Sequence, residues 1–186
     1  MTPSPGQASL VFARGLSSAG VGIWARTLGN GTGASGYSLA VDSLGSTLVV
    51  GAEKGDISLN GTSTITNPSV VEKNGFIAKL DSSGAGVWLT DMPKAAGGLV
   101  AIDSTDDLLV ASIEKDGTLG VSKRVSGTGG VVWNRVSGID TAALAVDKQS
   151  EVFLGGAFKG ALTFDSFILN TNSGVSYEIF LAKIAP

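Results

Sequence analysis

The chain has 186 residues, of which 43% are hydrophobic and 16% charged, with 27 glycines and a formal net charge of −3. This slightly acidic balance provides no basic surface for a phosphate backbone, so nucleic acid is not an expected partner. Cysteine and histidine are both absent, which excludes disulfides, thiolate nucleophiles, His-dependent catalytic triads and the common zinc sites.

Residues 1–8 are polar and proline-rich, and we expect them to form a tail or linker. They lack the basic start and the apolar stretch of an export signal. No run in the chain approaches the roughly 20 apolar residues that span a bilayer. We therefore expect no membrane insertion, while removal of a signal from a longer precursor stays open.

From residue 9 onward, short apolar runs alternate with turns rich in glycine, serine and aspartate. The first run covers residues 10–14 and predicts a strand. Glycine supplies the positive φ of tight turns, and β-branched side chains pack well on a pleated surface. No segment shows capped helical periodicity. The sequence therefore predicts an all-β chain with no more than a turn or two of helix.

One motif recurs along the chain. A Gly-rich turn leads into a strand with a tryptophan, and a later strand ends in Leu/Val-Ala-Val/Ile-Asp before a polar turn and another apolar run. The first and third copies also carry an added excursion, at residues 55–75 and 160–174, which the second lacks. Because every tryptophan of the chain lies in this motif, we predict a repeat array. The copies contain Trp24 and Asp42, Trp88 and Asp103, and Trp133 and Asp147.

Segments of the repeat are similar to a known family. Residues 74–84 are NGFIAKLDSSG and residues 178–184 are EIFLAKI, which resemble the D-x-F-V-A-K-L-D-x-x-G strand of the bacterial seven-bladed β-propeller repeat (SBBP-like) family. Residues 153–164 resemble its V-Y-V-T-G-x-F-x-G-x-x-x-F segment, whereas Asn74 and Glu178 stand where the family has Asp. The resemblance implies blades of four antiparallel strands in surface-exposed or secreted proteins, and it implies no catalytic residues.

The repeats and the resemblance together predict a β-propeller-type array in residues 9–186. We expect one extra N-terminal strand in residues 9–20, then about three four-stranded antiparallel blades at 21–84, 85–128 and 129–186. Propellers usually close with about 4 to 8 blades, so three blades do not close a ring alone. The chain is then a fragment of a longer propeller or one of several chains that complete a ring, with an open β stack or sandwich as the third alternative.

Asp42, Asp103 and Asp147 occupy equivalent positions and are weak candidates for a metal site. A ring of carboxylates at one mouth of a propeller would suit a hard cation such as Ca²⁺. The alternative is that each Asp accepts backbone N–H bonds in its own hairpin turn. We favour the turn because no D-x-D-x-D-G loop is present to supply further oxygens. We expect no metal and no cofactor.

The tryptophans have two interpretations, because an indole can stack on a sugar ring or pack between neighbouring blades. Their fixed place in the repeat favours packing. Glycosylation sequons begin at Asn30 and Asn60, although the turn chemistry of Asn-Gly explains the same tripeptides.

We predict no catalytic residues. Paired carboxylates for glycoside hydrolysis are conceivable only among scattered acids that we interpret as solvated loop residues. These acids are Asp91, Asp106, Asp107 and Asp140.

We therefore expect a non-catalytic extracellular or cell-surface module with a structural, adhesive or assembly role. Its expected partners are other protein chains or further blades of the same protein. The alternative is a lectin-like propeller that binds glycans, in which an exposed Tyr37 or Tyr177 would contact the sugar.

Overall fold

The computed structural model describes residues 9–29, 33–59, 63–67, 72–137, 140–164, 167–171 and 177–184. Within these ranges the chain forms β strands joined by turns and contains no helix. The all-β prediction is therefore confirmed for the described residues. None of these residues belongs to a helix with the length and hydropathy needed to cross a membrane.

The chain divides into two compact units, Met1–Gly98 and Leu99–Pro186. The strands of the first unit are β1 (Val11–Leu16), β2 (Gly22–Leu28), β3 (Ser35–Val41), β4 (Thr47–Glu53), β5 (Ile57–Leu59), β6 (Ser63–Ile65), β7 (Asn74–Leu80) and β8 (Gly86–Met92). β9 (Ala95–Ile102) runs across the division. The remaining strands are β10 (Leu108–Glu114), β11 (Leu119–Arg124), β12 (Val131–Ser137), β13 (Asp140–Val146), β14 (Val152–Phe158), β15 (Ala161–Phe164), β16 (Phe167–Asn170) and β17 (Glu178–Ile184).

The strands form several separate antiparallel sheets. The first unit contains the pair β1-β2, a four-stranded sheet in the order β3-β4-β7-β8, and the small hairpin β5-β6. The second contains a four-stranded sheet in the order β12-β11-β10-β9, a sheet in the order β13-β14-β17, and the small hairpin β15-β16. The two small hairpins lie in the predicted excursions, and a tight turn joins β10 to β11 in the repeat that lacks one.

Each tryptophan lies on the last strand of its sheet. β2, β8 and β12 pair with the strands that precede them, β1, β7 and β11. The predicted blades at 21–84, 85–128 and 129–186 start with these strands instead, so the sheet boundaries differ from the predicted ones. The reason is that the turn before each tryptophan is a hairpin turn; in the first, Gly20 N–H donates to the Ser17 carbonyl at 2.9 Å. The N-terminal element is therefore a pair of strands rather than one.

The core of each unit contains buried residues of two larger sheets and of the small hairpin. In the first unit, Val11 and Ala13 of β1 share a buried cluster with Phe76 of β7. In the second, Val121 of β11 shares a buried cluster with Leu154 of β14 and with residues of β17. Alternate residues of every strand point to opposite faces, so one face of each sheet supplies the cluster while the other face is left for another contact.

Candidate functional site

The repeated aspartates organise hairpin turns. In Asp42, Oδ1 accepts the N–H groups of Leu44 at 3.0 Å and Ser46 at 2.7 Å, two and four residues further along. The same pair of bonds is found at Asp103 and Asp147. Asp81 makes the pair as well, in the turn between β7 and β8. Each carboxylate thus satisfies two backbone donors of a tight turn, as the turn interpretation predicts.

The second carboxylate oxygen of two of these aspartates binds a lysine from a distant strand. Asp42 Oδ2 lies 2.9 Å from Lys79 Nζ, and Asp103 Oδ2 lies 2.7 Å from Lys123 Nζ. In the sheet β13-β14-β17, the equivalent lysine is Lys183, and it pairs with Glu151. The ion pairs connect the turn after the first strand of each sheet to a strand two positions away in the sheet order.

The electrostatics keep these groups charged. Burial opposes ionisation of Asp103, but hydrogen bonds from Lys123 and Thr105 outweigh it and hold the pKa of the carboxyl below its ordinary value. The pKa of Asp42 is lowered in the same way, with Lys79 and the Ser46 backbone as donors. The hydrogen bond to Asp103 raises the pKa of Lys123. Asp42, Asp103 and Lys123 are therefore ionised at neutral pH.

The structure does not bring the three repeated aspartates together as a cation site. Each carboxylate is engaged within its own sheet by backbone donors, and two of them also by a lysine. Among the described residues, no group of three or more acidic side chains is placed to hold a metal ion.

Trp24 and Trp133 each pack against the core of their unit. Trp24 Nε1 donates to the Ser82 carbonyl at 3.1 Å, which ties β2 to the turn between β7 and β8 in the neighbouring sheet. Trp133 packs on the second core cluster, and the guanidinium of Arg135 lies 5.7 Å from its ring centroid. Both indoles are half-buried, as is Trp88. These are the contacts that inter-sheet packing predicts.

The other predicted residues are dispersed. Tyr37 on β3 and Tyr177 before β17 are both exposed. Asp107 lies 3.5 Å from Lys123 Nζ and accepts the Ser126 N–H. The remaining residues lie as follows: Asp91 on β8, Asp106 in the turn between β9 and β10, Asp140 on β13 with a side chain outside the described part, and Asn30 and Asn60 outside the described residues.

The candidate site that remains is an open strand edge. The first two complete sheets have four strands, and their third strands, β7 and β11, lie between two neighbours. In the last sheet β17 pairs with β14, and no described strand occupies its other side. An edge of this kind presents a row of backbone donors and acceptors that can pair with another strand.

The comparisons with known proteins provide no relative, because no protein-family model and no curated protein matches the chain. The similarity to the seven-bladed propeller repeat stays a prediction. Sequence reasoning missed the pairing of Asp42 with Lys79 and of Asp103 with Lys123. The signal was present, since Lys79 and Lys183 stand at the same place in the two similar segments.

Proposed function

We propose that this chain is a non-catalytic structural module that assembles with further β strands and sheets of its own kind. Its sheets are blades of a propeller-type array, and it works outside the cytoplasm, as the resemblance implies. The observation that carries the proposal is the open edge of β17. The equivalent strands of the other sheets indicate which kind of strand pairs with this edge.

β17 is equivalent to β7 and β11. All three are the third strand of their sheet in chain order, and they carry the equivalent lysines Lys79, Lys123 and Lys183. Lys79 lies opposite Trp88 of β8, and Lys123 lies opposite Trp133 of β12. Lys183 holds the same position on β17, which has no described strand on its other side. The missing neighbour is therefore an antiparallel strand that places an aromatic residue opposite Lys183.

The side chains of β17 support the same conclusion. Ile179 and Leu181 are 90% and 78% exposed, although a strand edge with large apolar side chains in water is an aggregation liability. A strand laid along this edge, with a sheet stacked over it, would remove apolar surface from water and would pair with the backbone of β17. Strand addition of this type derives its affinity from main-chain hydrogen bonds and its specificity from alternate side chains.

A peptide tests the proposal. A synthetic peptide with the sequence of residues 84–92, which form the turn and strand β8, is added to the full chain, and amide hydrogen exchange is followed by NMR. We expect alternate amides of β17 to gain at least about tenfold protection, because they acquire hydrogen-bond partners. The same peptide with alanine at the position of Trp88 should bind more weakly, since it lacks the indole opposite Lys183.

Two results would contradict the proposal. One is unchanged exchange in β17 at millimolar peptide. The other is protection confined to strands that already have two neighbours, such as β11, since the peptide would then bind elsewhere.

A further inference from the structure

Four strands of the chain are equivalent, so the burial of their two faces can be compared residue by residue. β1, β7 and β11 align at the residue that lies opposite a tryptophan, which is Gly15, Lys79 or Lys123. β17 aligns with them at Lys183. Because side chains alternate along a strand, the residues two and four positions before this point share one face, and the residue three positions before it lies on the other.

The first face, which we name the forward face, is covered in three strands and open in one. Its residues in β17 are Ile179 and Leu181, which are almost fully exposed. The equivalent residues are buried in the other three strands. These are Val11 and Ala13 in β1, Gly75 and Ile77 in β7, and Leu119 and Val121 in β11.

The opposite face, which we name the rear face, is exposed in β1, the first of the four strands in chain order. Phe76 of β7 and Phe180 of β17 lie at equivalent positions and are 1% and 3% exposed. The equivalent residue of β1 is Phe12, which is 75% exposed. Leu16, on the same face, is also exposed, whereas its equivalent Leu80 is fully buried.

Inside each unit, a forward face packs on a rear face. In the first unit, forward-face Val11 and Ala13 share the buried cluster with rear-face Phe76. In the second unit, forward-face Val121 shares the buried cluster with rear-face Phe180. The same interface thus occurs twice. Its two halves are each left open once, the rear half on the first unit and the forward half on the second.

We infer that a second copy of this chain docks through these faces, with its rear face (Phe12 and Leu16) on the forward face (Ile179 and Leu181) of the first copy. Burial of these large apolar side chains provides the driving force. Two different surfaces meet, so the contact is heterologous and repeats from copy to copy until a ring closes or a filament extends. The inference rests on the proposed assembly function and names its partner.

Two complementary variants test the inference on the full chain. Leu181→Lys damages the forward face and Phe12→Lys damages the rear face, so each variant keeps one intact half. The mean mass is measured by light scattering from about 10 to 500 µM protein, the range suited to a small interface. We expect the wild-type mass to rise with concentration, and each variant alone to need at least about tenfold more protein for the same rise.

A mixture of the two variants is the decisive sample. We expect an equimolar mixture to form dimers and nothing larger, because the intact forward face of one variant accepts the intact rear face of the other. A wild-type chain that stays monomeric throughout, or a mixture that stays monomeric, would overturn the inference.

Controls separate this result from misfolding and from the strand-addition experiment. Leu44→Lys changes an exposed turn residue outside both faces and should leave the wild-type mass curve unchanged. Ile179→Lys and Leu16→Lys replace the first pair if circular dichroism shows that either variant is unfolded. The peptide experiment reports on the edge of β17 alone, so either experiment can fail without the other.

Discussion

The second unit contains two equivalent strands, β11 and β17, in different surroundings. β11 lies between β10 and β12, and its Val121 is buried in the core. β17 has a similar length and pattern, yet it pairs with β14 alone among the described strands, and its Leu181 is exposed. β17 thus has large apolar side chains at the positions that are buried in β11. The comparison teaches that exposure here depends on a strand's place in the repeat and not on its composition.

The largest contrast is expected between a leucine that is covered and one that is open. Leu154→Ala should lower the free energy of unfolding by about 3 kcal/mol, because it leaves a cavity in the second core cluster. Leu181→Ala should lower it by less than about 0.5 kcal/mol. Urea unfolding at low micromolar concentration measures both. Equal losses would show that β17 is covered even in the isolated chain.

Trp133 tests how the two sheets of the second unit are joined. Trp133→Ala should lower the free energy of unfolding by about 2 to 3 kcal/mol, less than for a fully buried tryptophan because the indole is half-exposed. Val132→Ala, at the exposed neighbouring position, serves as the control with a loss below about 0.5 kcal/mol. An unchanged melting curve for Trp133→Ala would contradict the packing role.

The ion pairs offer a third comparison, between the buried Asp103, which binds a lysine, and the partly buried Asp147. Asp103→Asn keeps a side-chain oxygen for the turn but removes the charge that Lys123 faces, so a loss of about 1 to 2 kcal/mol at pH 7 is expected. Asp147→Asn should lose less, because Asp147 is less buried than Asp103. Urea unfolding at pH 7 compares them, and a larger loss for Asp147→Asn would contradict the assignment.

The pH dependence of the same variant has a defined sign. The folded pKa of Asp103 lies below its ordinary value of 3.8, so its stabilisation is complete above that pH and is lost as pH falls through the folded pKa. The difference between wild type and Asp103→Asn should therefore shrink as pH falls below about 4. The raised pKa of Lys123 acts in the opposite direction, and its contribution should disappear only when pH rises above the ordinary lysine range.

The smallest effect concerns the backbone of the turns. In the turns that follow the repeated aspartates, Gly45 holds the positive φ in the first unit, whereas Asp106 and Ser150 hold it in the second unit, at 66° and 63°. Ser150→Gly should raise the free energy of unfolding by about 0.5 kcal/mol, because a side chain is strained there. Gln149→Gly, one residue earlier, should lower it instead. A loss of stability in both variants would contradict the strain.

Local features were predictable because they depend on neighbouring residues. The all-β class, the aspartate turns and the two excursions follow from turn chemistry and from short apolar runs. The pairing of each tryptophan strand did not follow, since a Gly-rich turn inside a sheet and one between sheets have the same composition. The sequence around Trp24 therefore fits a turn inside a sheet and a turn between sheets equally well. The pairing of β1 with β2 identifies it as a turn inside a sheet.

The candidate site was only partly predictable for a different physical reason. Whether Leu181 is covered depends on which strands and sheets are present beside it, and the residues of β17 are the same in both cases. The ion pair of Asp42 with Lys79 joins residues that are far apart in the sequence, so spacing within one motif does not reveal it.

Hydrogen exchange of β11 and β17 in the isolated chain tests the open edge most directly. At a concentration where the chain is monomeric, alternate amides of β17 should exchange at least about 100-fold faster than those of β11, because β17 has a neighbour on only one side among the described strands. Uniform protection along β17, equal to that of β11, would contradict the open edge and with it the proposed mode of assembly.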